Sequence, residues 1–145
     1  MSMTSYGAIN ALFDHLKTSV VFTSPVKVRG KLYRMQRPLN SLAEDVVINS
    51  LALSYDPVQK GYLNVNFYVQ NPRLKIGNIH DSSQPDSARI DEISGLGKAA
   101  LGDGEEIWSD DGTFCFRIEQ DTVIADTNNQ HYLNFRVEFY SLNIN

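Results

Sequence analysis

The side chains that most often do chemistry in proteins are few in this chain and lie far apart. His15, His80 and His131 are well separated, and none stands at metal-ligand spacing from another histidine or from the lone cysteine, Cys115. The glycine-containing stretches do not match a phosphate-binding motif. The sequence therefore predicts no catalytic residue, no metal site and no cofactor.

Carboxylates are concentrated in one stretch, the acidic segment (residues 103–111). Such a density of carboxylates could bind Ca²⁺, but the spacing does not match an EF-hand loop, which needs acidic groups at fixed alternate positions. We therefore expect a solvated acidic loop, in which Trp108 anchors the chain by burying its ring. The acidic side chains of this segment are Asp103, Glu105, Glu106, Asp110 and Asp111.

Cations are concentrated in a second stretch, the basic segment (residues 27–37). Its first three cations alternate with other residues, so on a strand they would share one face, which is most simply a solvated face. Alternatively, the segment makes an electrostatic contact with an acidic partner surface, such as the acidic segment of a neighbouring subunit. That complementarity in sign suggests a homo-oligomer. The basic side chains are Lys27, Arg29, Lys31, Arg34 and Arg37.

The element that must position these segments is a sheet with one apolar face. Residues 132–140 alternate strictly between apolar and polar side chains, as do residues 62–70 and 114–119, and a period of two predicts half-buried strands. The polar side chains Asn134, Arg136 and Glu138 should point away from the core. This outward face suits a wet protein–protein interface, and it equally suits plain exposure to solvent. By the same alternation, Cys115 should point away from the main apolar face.

Helical periodicity occurs in two places. Ile9, Leu12 and Leu16 follow the spacing of an apolar stripe, and Thr4 or Ser5 is the expected N-cap. A second helix should begin at residue 87, although the glycines at positions 95 and 97 favour a break, since glycine costs about 1 kcal/mol against alanine inside a helix.

Together these elements predict one α+β domain over residues 1–145. Residues 26–33 and 46–53 are expected to be further strands, and residues 46–53 should form a hairpin with residues 62–70. Residues 70–86 are rich in proline, glycine and polar side chains, which predicts a long, mobile loop. The expected architecture is an antiparallel β-sheet of about four to five strands with two helices packed on one face.

The bulk composition excludes several classes of protein. The chain has 145 residues and a net charge of −4, and a dedicated nucleic-acid binder normally carries an excess of lysine and arginine instead. Its apolar runs are much shorter than the ~20 residues that cross a bilayer. The amino-terminal residues do not have the pattern of a secretory signal. We therefore expect neither sequence-specific nucleic-acid binding nor a membrane association.

Four short stretches resemble the tail terminator proteins, a tail-completion family of phages and prophages: residues 37–41, 44–49, 61–69 and 131–137. The order of elements is also similar to that family. The resemblance implies a structural, non-enzymatic virion protein that forms a ring, usually a hexamer. Such a ring caps the tail tube and joins it to the head. The implied partners are further copies of the chain, the tail tube protein and the head–tail connector proteins. The implied location is the tail or neck of the virion, after assembly in the host cytoplasm.

Two other functions are compatible with the sequence. The chain could be a small binding or adaptor domain that uses residues 71–86 as a recognition element. It could also be an enzyme whose residues come together only in three dimensions, which would require a concave pocket with clustered titratable groups.

Overall fold

A computed structural model describes residues 2–142 of the chain. Strands dominate these residues, and the helices are short. The helices are α1 (Ser5–Lys17), α2 (Val20–Thr23) and α3 (Ser87–Ala100). The strands are β1 (Leu32–Arg34), β2 (Val46–Leu53), β3 (Val58–Gln70), β4 (Leu74–Ile76), β5 (Ile79–Asp81), β6 (Ile107–Trp108), β7 (Phe114–Asp126) and β8 (Gln130–Leu142).

Six of the strands form one curled sheet that resembles a half-barrel. Their order across the sheet is β1-β2-β3-β8-β7-β6, so β1 and β6 occupy the two edges. The pairing of β1 with β2 is parallel, and the other pairings in this sheet are antiparallel. Strands β4 and β5 form a separate two-stranded hairpin.

The predicted architecture of four to five antiparallel strands with two helices on one face is therefore wrong. The sheet is mixed and has six strands, and residues 2–142 contain three helices. The edge strands β1 and β6 are three and two residues long, which is too short to produce a detectable period in the sequence. The expected loop at residues 70–86 contains the β4–β5 hairpin.

The centre of the sheet follows the predicted alternation. The paired strands β3 and β8 turn their apolar side chains to the same side, and Leu63 lies opposite Val137 and Val65 opposite Phe135. The rings of Phe67 and Phe135 meet edge to face, with 5.7 Å between their centroids. Each such side chain contributes about 1.5–3 kcal/mol through burial, so these two strands supply much of the core.

Helix α1 confirms the expectation from its apolar stripe. The side chain of Thr4 is the N-cap and accepts a hydrogen bond of 2.9 Å from the backbone N–H of Gly7. Ile9, Leu12 and Leu16 are fully buried in the core that the sheet also lines. The stripe therefore holds α1 against the sheet, since a helix this short is marginal without tertiary packing.

Helix α3 continues through both glycines to Ala100 instead of breaking there. A Cβ atom at Gly97 would lie 2.5 Å from the ring of Phe135, whereas a Cβ atom at Gly95 would meet open space. Gly97 therefore permits the close approach of α3 to β8. The weak helix propensity of glycine is tolerated at this position because the approach packs Ile93 and Leu101 into the core.

This geometry predicts opposite effects for two substitutions in one helix. Gly97→Ala should lower the free energy of unfolding by about 1–3 kcal/mol, because the new methyl group overpacks the contact with Phe135. The matched control, Gly95→Ala, should raise it by up to ~1 kcal/mol through helix propensity alone. Urea titration of both variants measures the difference, and a Gly97→Ala variant as stable as Gly95→Ala would contradict the packing of α3 on β8.

Candidate assembly interface

The two charged segments lie at opposite edges of the sheet. The basic segment contains β1, which forms one edge, and the acidic segment contains β6, which forms the other. Four strands separate these edges. The structure therefore does not bring the two segments together in one subunit, and it leaves each of them at a boundary of the sheet.

The predicted strand over residues 26–33 is wrong for most of its length, since β1 begins only at Leu32. A Cβ atom at Gly30 would lie 2.4 Å from the carbonyl group of Glu44, so the chain passes too close to the start of β2 for any other residue. The side chains nevertheless alternate as expected. Lys27, Arg29 and Lys31 are exposed, and Val28 between them is buried.

A buried ion pair holds this part of the chain in place. The guanidinium group of Arg89 on α3 donates two hydrogen bonds of 2.8 Å to the carboxylate of Glu44. It also donates to the carbonyl groups of Val26 at 2.9 Å and Lys27 at 2.8 Å. The same carboxylate accepts a bond of 3.0 Å from the backbone N–H of Arg29. Arg89 thus links α3, the start of the basic segment and the loop before β2.

The environment of Glu44 favours its charged form. Burial alone would raise the pKa of this carboxyl group, but the hydrogen bonds from Arg89 and from the backbone of Arg29 outweigh it, and the pKa is lowered. The carboxylate in turn raises the pKa of Arg89. Both groups are therefore ionised at neutral pH, and neither is left unpaired in the interior.

Arg37 belongs to the predicted interface by charge, but its contacts are internal. Its guanidinium carbon lies 3.6 Å from the ring centroid of Tyr68, on the outward face of the sheet. The same group is 3.8 Å from the carboxylate of Asp45 and 4.0 Å from that of Asp126, and it also donates to Gln130. Arg37 is mostly buried, so it fixes the loop that follows β1 and offers little charge to a partner.

The remaining cations differ in how free they are. Arg34 is 3.7 Å from the ring centroid of Phe13 and donates a bond of 2.7 Å to Asn10. Arg29 is exposed, although it lies 3.9 Å from the Glu44 carboxylate. The side chains of Lys27 and Lys31 make no ion pair or hydrogen bond within residues 2–142. These two lysines are therefore the free cations of the basic edge.

The acidic segment is largely exposed to solvent, and its carboxylates differ in whether they have a hydrogen-bond or ion-pair partner. Asp111 accepts bonds from Ser109 and Thr113, which lower its pKa and close the turn before β7. Asp103 lies 3.4 Å from the ammonium group of Lys98, and both are exposed. Two exposed carboxylates of the acidic segment have no hydrogen-bond or ion-pair partner among residues 2–142. These are Glu105 and Asp110.

The expectation that Trp108 buries its ring is wrong, because 55% of this residue is exposed. Its indole N–H donates a bond of 3.0 Å to Glu106. Trp108 lies opposite Cys115, in the two-residue strand β6 at the edge of the sheet, so no further strand covers it. Cys115 is buried outside the main core, as its predicted outward direction requires, and burial raises the pKa of its thiol.

The outward face of β8 is a network of internal contacts. Asn134 donates bonds of 3.2 Å to Asn64 and 2.7 Å to Asn66, both on β3. Glu138 accepts a bond of 2.8 Å from Arg117, which lowers the pKa of this carboxyl group. Arg136 lies over the ring of Tyr62, 4.4 Å from its centroid. The three predicted residues do share one face, and the contacts make that face rigid.

Two of the three histidines are likewise held by structural contacts. The Nε2 atom of His15 donates a bond of 2.7 Å to the carbonyl group of Ala100. The Nδ1 atom of His131 is 2.6 Å from the amide oxygen of Asn71. His80 lies exposed on the β4–β5 hairpin. Within residues 2–142, no cluster of three or more histidine, cysteine and acidic side chains could hold a metal ion.

Sequence reasoning missed the pair formed by Glu44 and Arg89. One signal was present: Arg89 occupies a position four residues before Ile93, on the buried stripe of α3. A charged residue in an apolar stripe indicates a buried partner, since an unpaired charge is excluded from an interior. The partner itself lies 45 positions away along the chain, which local spacing could not show.

The comparisons with known proteins do not assign the chain to a family. No protein-family model matches the sequence, and no curated protein matches it. Among the helices of residues 2–142, moreover, none has the length and apolar character needed to span a bilayer.

The buried ion pair predicts that removal of one of its two residues greatly lowers the stability of the fold. Arg89→Met should lower the free energy of unfolding by about 3–5 kcal/mol, because it leaves the Glu44 carboxylate buried without its cation. The control is Lys98→Met, which removes an exposed ion pair with Asp103 and should change stability by no more than about 1 kcal/mol. Equal effects of the two substitutions in chemical denaturation would contradict the role given to Arg89.

The lowered pKa of Glu44 also predicts a pH dependence. The pKa of Glu44 in the folded protein lies below the ordinary glutamate value of 4.5, so the stabilisation is fully present above the unfolded pKa and is lost as the pH falls through the folded pKa. The wild type should therefore exceed Glu44→Gln in stability at pH 7, and this advantage should shrink as the pH falls below about 4.5. Thermal melts of both proteins between pH 7 and pH 3 measure it. A constant difference across that range would exclude Glu44 as the titrating group.

Proposed function

We propose that this protein is a structural virion protein, a phage tail terminator or a close neck protein, that acts by assembling into a ring. The ring caps the tail tube and joins it to the head through the tail tube and connector proteins. The protein would reside in the tail or neck of the virion, after assembly in the host cytoplasm. The activity is one of binding and assembly and involves no catalysis.

The observation that carries this proposal is the position of the two charged segments at opposite edges of one sheet. A ring needs a heterologous contact, in which two different and complementary patches on each subunit meet head to tail. The basic edge offers Lys27 and Lys31, and the acidic edge offers Glu105 and Asp110. Because these four side chains have no partner within residues 2–142, a neighbouring subunit can engage them without breaking existing ion pairs.

The outward face of the sheet supports the same function in a second way. Its asparagine and arginine contacts are internal, so the face keeps its shape when a partner binds. A preorganised surface loses less conformational entropy on association than a mobile one. The resemblance of residues 61–69 and 131–137 to tail terminator proteins concerns these same two central strands, β3 and β8.

A charge-reversal pair tests the contact between the edges. Lys27→Glu/Lys31→Glu should fold normally and weaken self-association by about tenfold or more, equivalent to ~1.4 kcal/mol, with a larger effect at low salt. Glu105→Lys/Asp110→Lys should do the same. A mixture of the two variants should assemble again, because each then meets only opposite charges. Light scattering and electron microscopy, with and without tail tube protein, measure the outcome.

The matched control for this experiment is Arg73→Glu/Lys75→Glu. It makes the same change in net charge on exposed residues at the β4–β5 hairpin. If this control weakens assembly as much as the reversal at the basic edge does, net charge and not the proposed contact is responsible. A wild-type protein that stays monomeric at high concentration, and forms no ring with tube protein, would count decisively against the tail terminator proposal.

A second candidate function is a small adaptor domain that binds through the β4–β5 hairpin. The observation in its favour is that Ile76 and Ile79, which face each other at the turn of this hairpin, are both exposed. Exposed apolar side chains on a projecting element are typical of recognition sites. A pull-down in which Ile76→Ser/Ile79→Ser loses a cellular partner, while self-association is absent in the wild type, would favour this alternative.

A further inference from the structure

An apolar pocket of about 230 Å³ opens at the acidic edge of the sheet. It lies where the ends of β3 and β8 meet β6 and β7. Val58 and Leu142 are neighbours on the paired strands β3 and β8 and form one part of its lining. Trp108 and Cys115 are neighbours on β6 and β7 and form another part. Glu106 of the acidic segment is also one of its lining residues. The pocket is thus an apolar depression bordered by the acidic segment.

The walls of this pocket leave large apolar groups in contact with water. Trp108 is 55% exposed and Val58 54% exposed, although both are next to buried strands. Tryptophan is one of the residue types enriched among those that contribute most to protein–protein binding, because its burial excludes water from a large apolar area. The pocket therefore has the composition of a binding site for an apolar side chain.

A complementary apolar side chain lies in a loop that is hydrogen-bonded to Gln130 at the β7–β8 turn, whereas the pocket lies at the opposite ends of these two strands. Leu39 is 85% exposed, the highest exposure among the large apolar residues that the structure describes. It lies two residues after the end of the basic segment. The stacking of Arg37 on Tyr68 fixes the loop on one side of it. On the other side, Asp45 accepts hydrogen bonds from the hydroxyl group of Ser41 and from the backbone N–H of Lys31.

These contacts attach the loop of Leu39 to the basic segment near Lys31. Asp45 binds both Ser41 and the backbone of Lys31, so the loop that carries Leu39 is attached to the basic segment. The pocket, in the same way, belongs to one surface with Glu106 and the acidic segment. An exposed leucine in a loop attached to the basic segment is thus complementary in polarity and charge to an apolar pocket next to the acidic segment, and each copy of the chain carries both.

We propose that the pocket lined by Val58, Trp108 and Leu142 binds Leu39 of a neighbouring copy, as the apolar anchor of the head-to-tail contact. This inference rests on the proposed ring assembly and names the side chain that gives the contact its affinity. The charges around it orient the approach and exclude other registers.

The chain contains a single tryptophan, so its fluorescence reports directly on the pocket. On assembly of the wild type, the emission of Trp108 should shift to the blue and its quenching by iodide should fall, both in step with the rise in mass measured by light scattering. Leu39→Ala should weaken assembly by about tenfold or more. Leu51→Ala, which truncates a leucine that is 46% exposed on β2, is the matched control and should leave assembly unchanged.

Three outcomes would overturn the inference, and they are distinguishable. Assembly with unchanged Trp108 quenching and no effect of Leu39→Ala would exclude the pocket as the contact, while the ring proposal would stand. Protection of Trp108 that does not depend on protein concentration would show that the chain fills its own pocket. A monomer under all conditions, with Trp108 quenched freely, would remove both the inference and the proposed function.

Discussion

The ion pair between Glu44 and Arg89 is the constraint on which the arrangement of the charged edge depends. Two charges placed in an interior are costly unless every donor and acceptor is satisfied. Arg89 meets this condition by binding the Glu44 carboxylate and the carbonyl groups of Val26 and Lys27. The backbone N–H of Arg29 satisfies the carboxylate further. The chain between α2 and β1 can therefore adopt only the path that keeps these bonds, and that path turns Lys27 and Arg29 to the surface.

The same path of the chain also determines where the first edge strand of the sheet begins. Gly30 passes against the carbonyl group of Glu44, and β1 then starts beside the first residues of β2 and runs parallel to it. At the other edge, β6 covers only Cys115 and Phe116 of β7. The rest of β7 carries the acidic residues Glu119, Asp121 and Asp126, and its pairing with β8 shifts register near Ile118. Both features discourage the pairing of an edge strand with another chain. They therefore protect the long uncovered part of β7 from pairing with another strand.

Sequence reasoning succeeded where a single period extends over many residues. The alternation in β3 and β8 and the stripe of α1 identified the centre of the core, because both faces of those elements have contrasting environments. It failed for β1 and β6, whose two or three residues contain no period. It also failed for Trp108, since the exposure of an aromatic ring depends on whether another strand lies beside it, and for the partner of Arg89, which is remote in sequence.

Charge counting alone overstates the candidate interface. Arg37 and Arg136 stack on tyrosine rings, and Glu138 is bound to Arg117, so their charges are largely satisfied within the subunit. Only a few exposed charges remain free at either edge, and exposed pairs of this kind contribute little affinity because water and salt screen them. They can orient an encounter, but a stable contact needs apolar area that becomes fully dry. The Trp108 pocket and the loop of Leu39 lie at opposite ends of β7 and β8, so in the proposed ring a neighbouring subunit would supply the apolar group that completes this area.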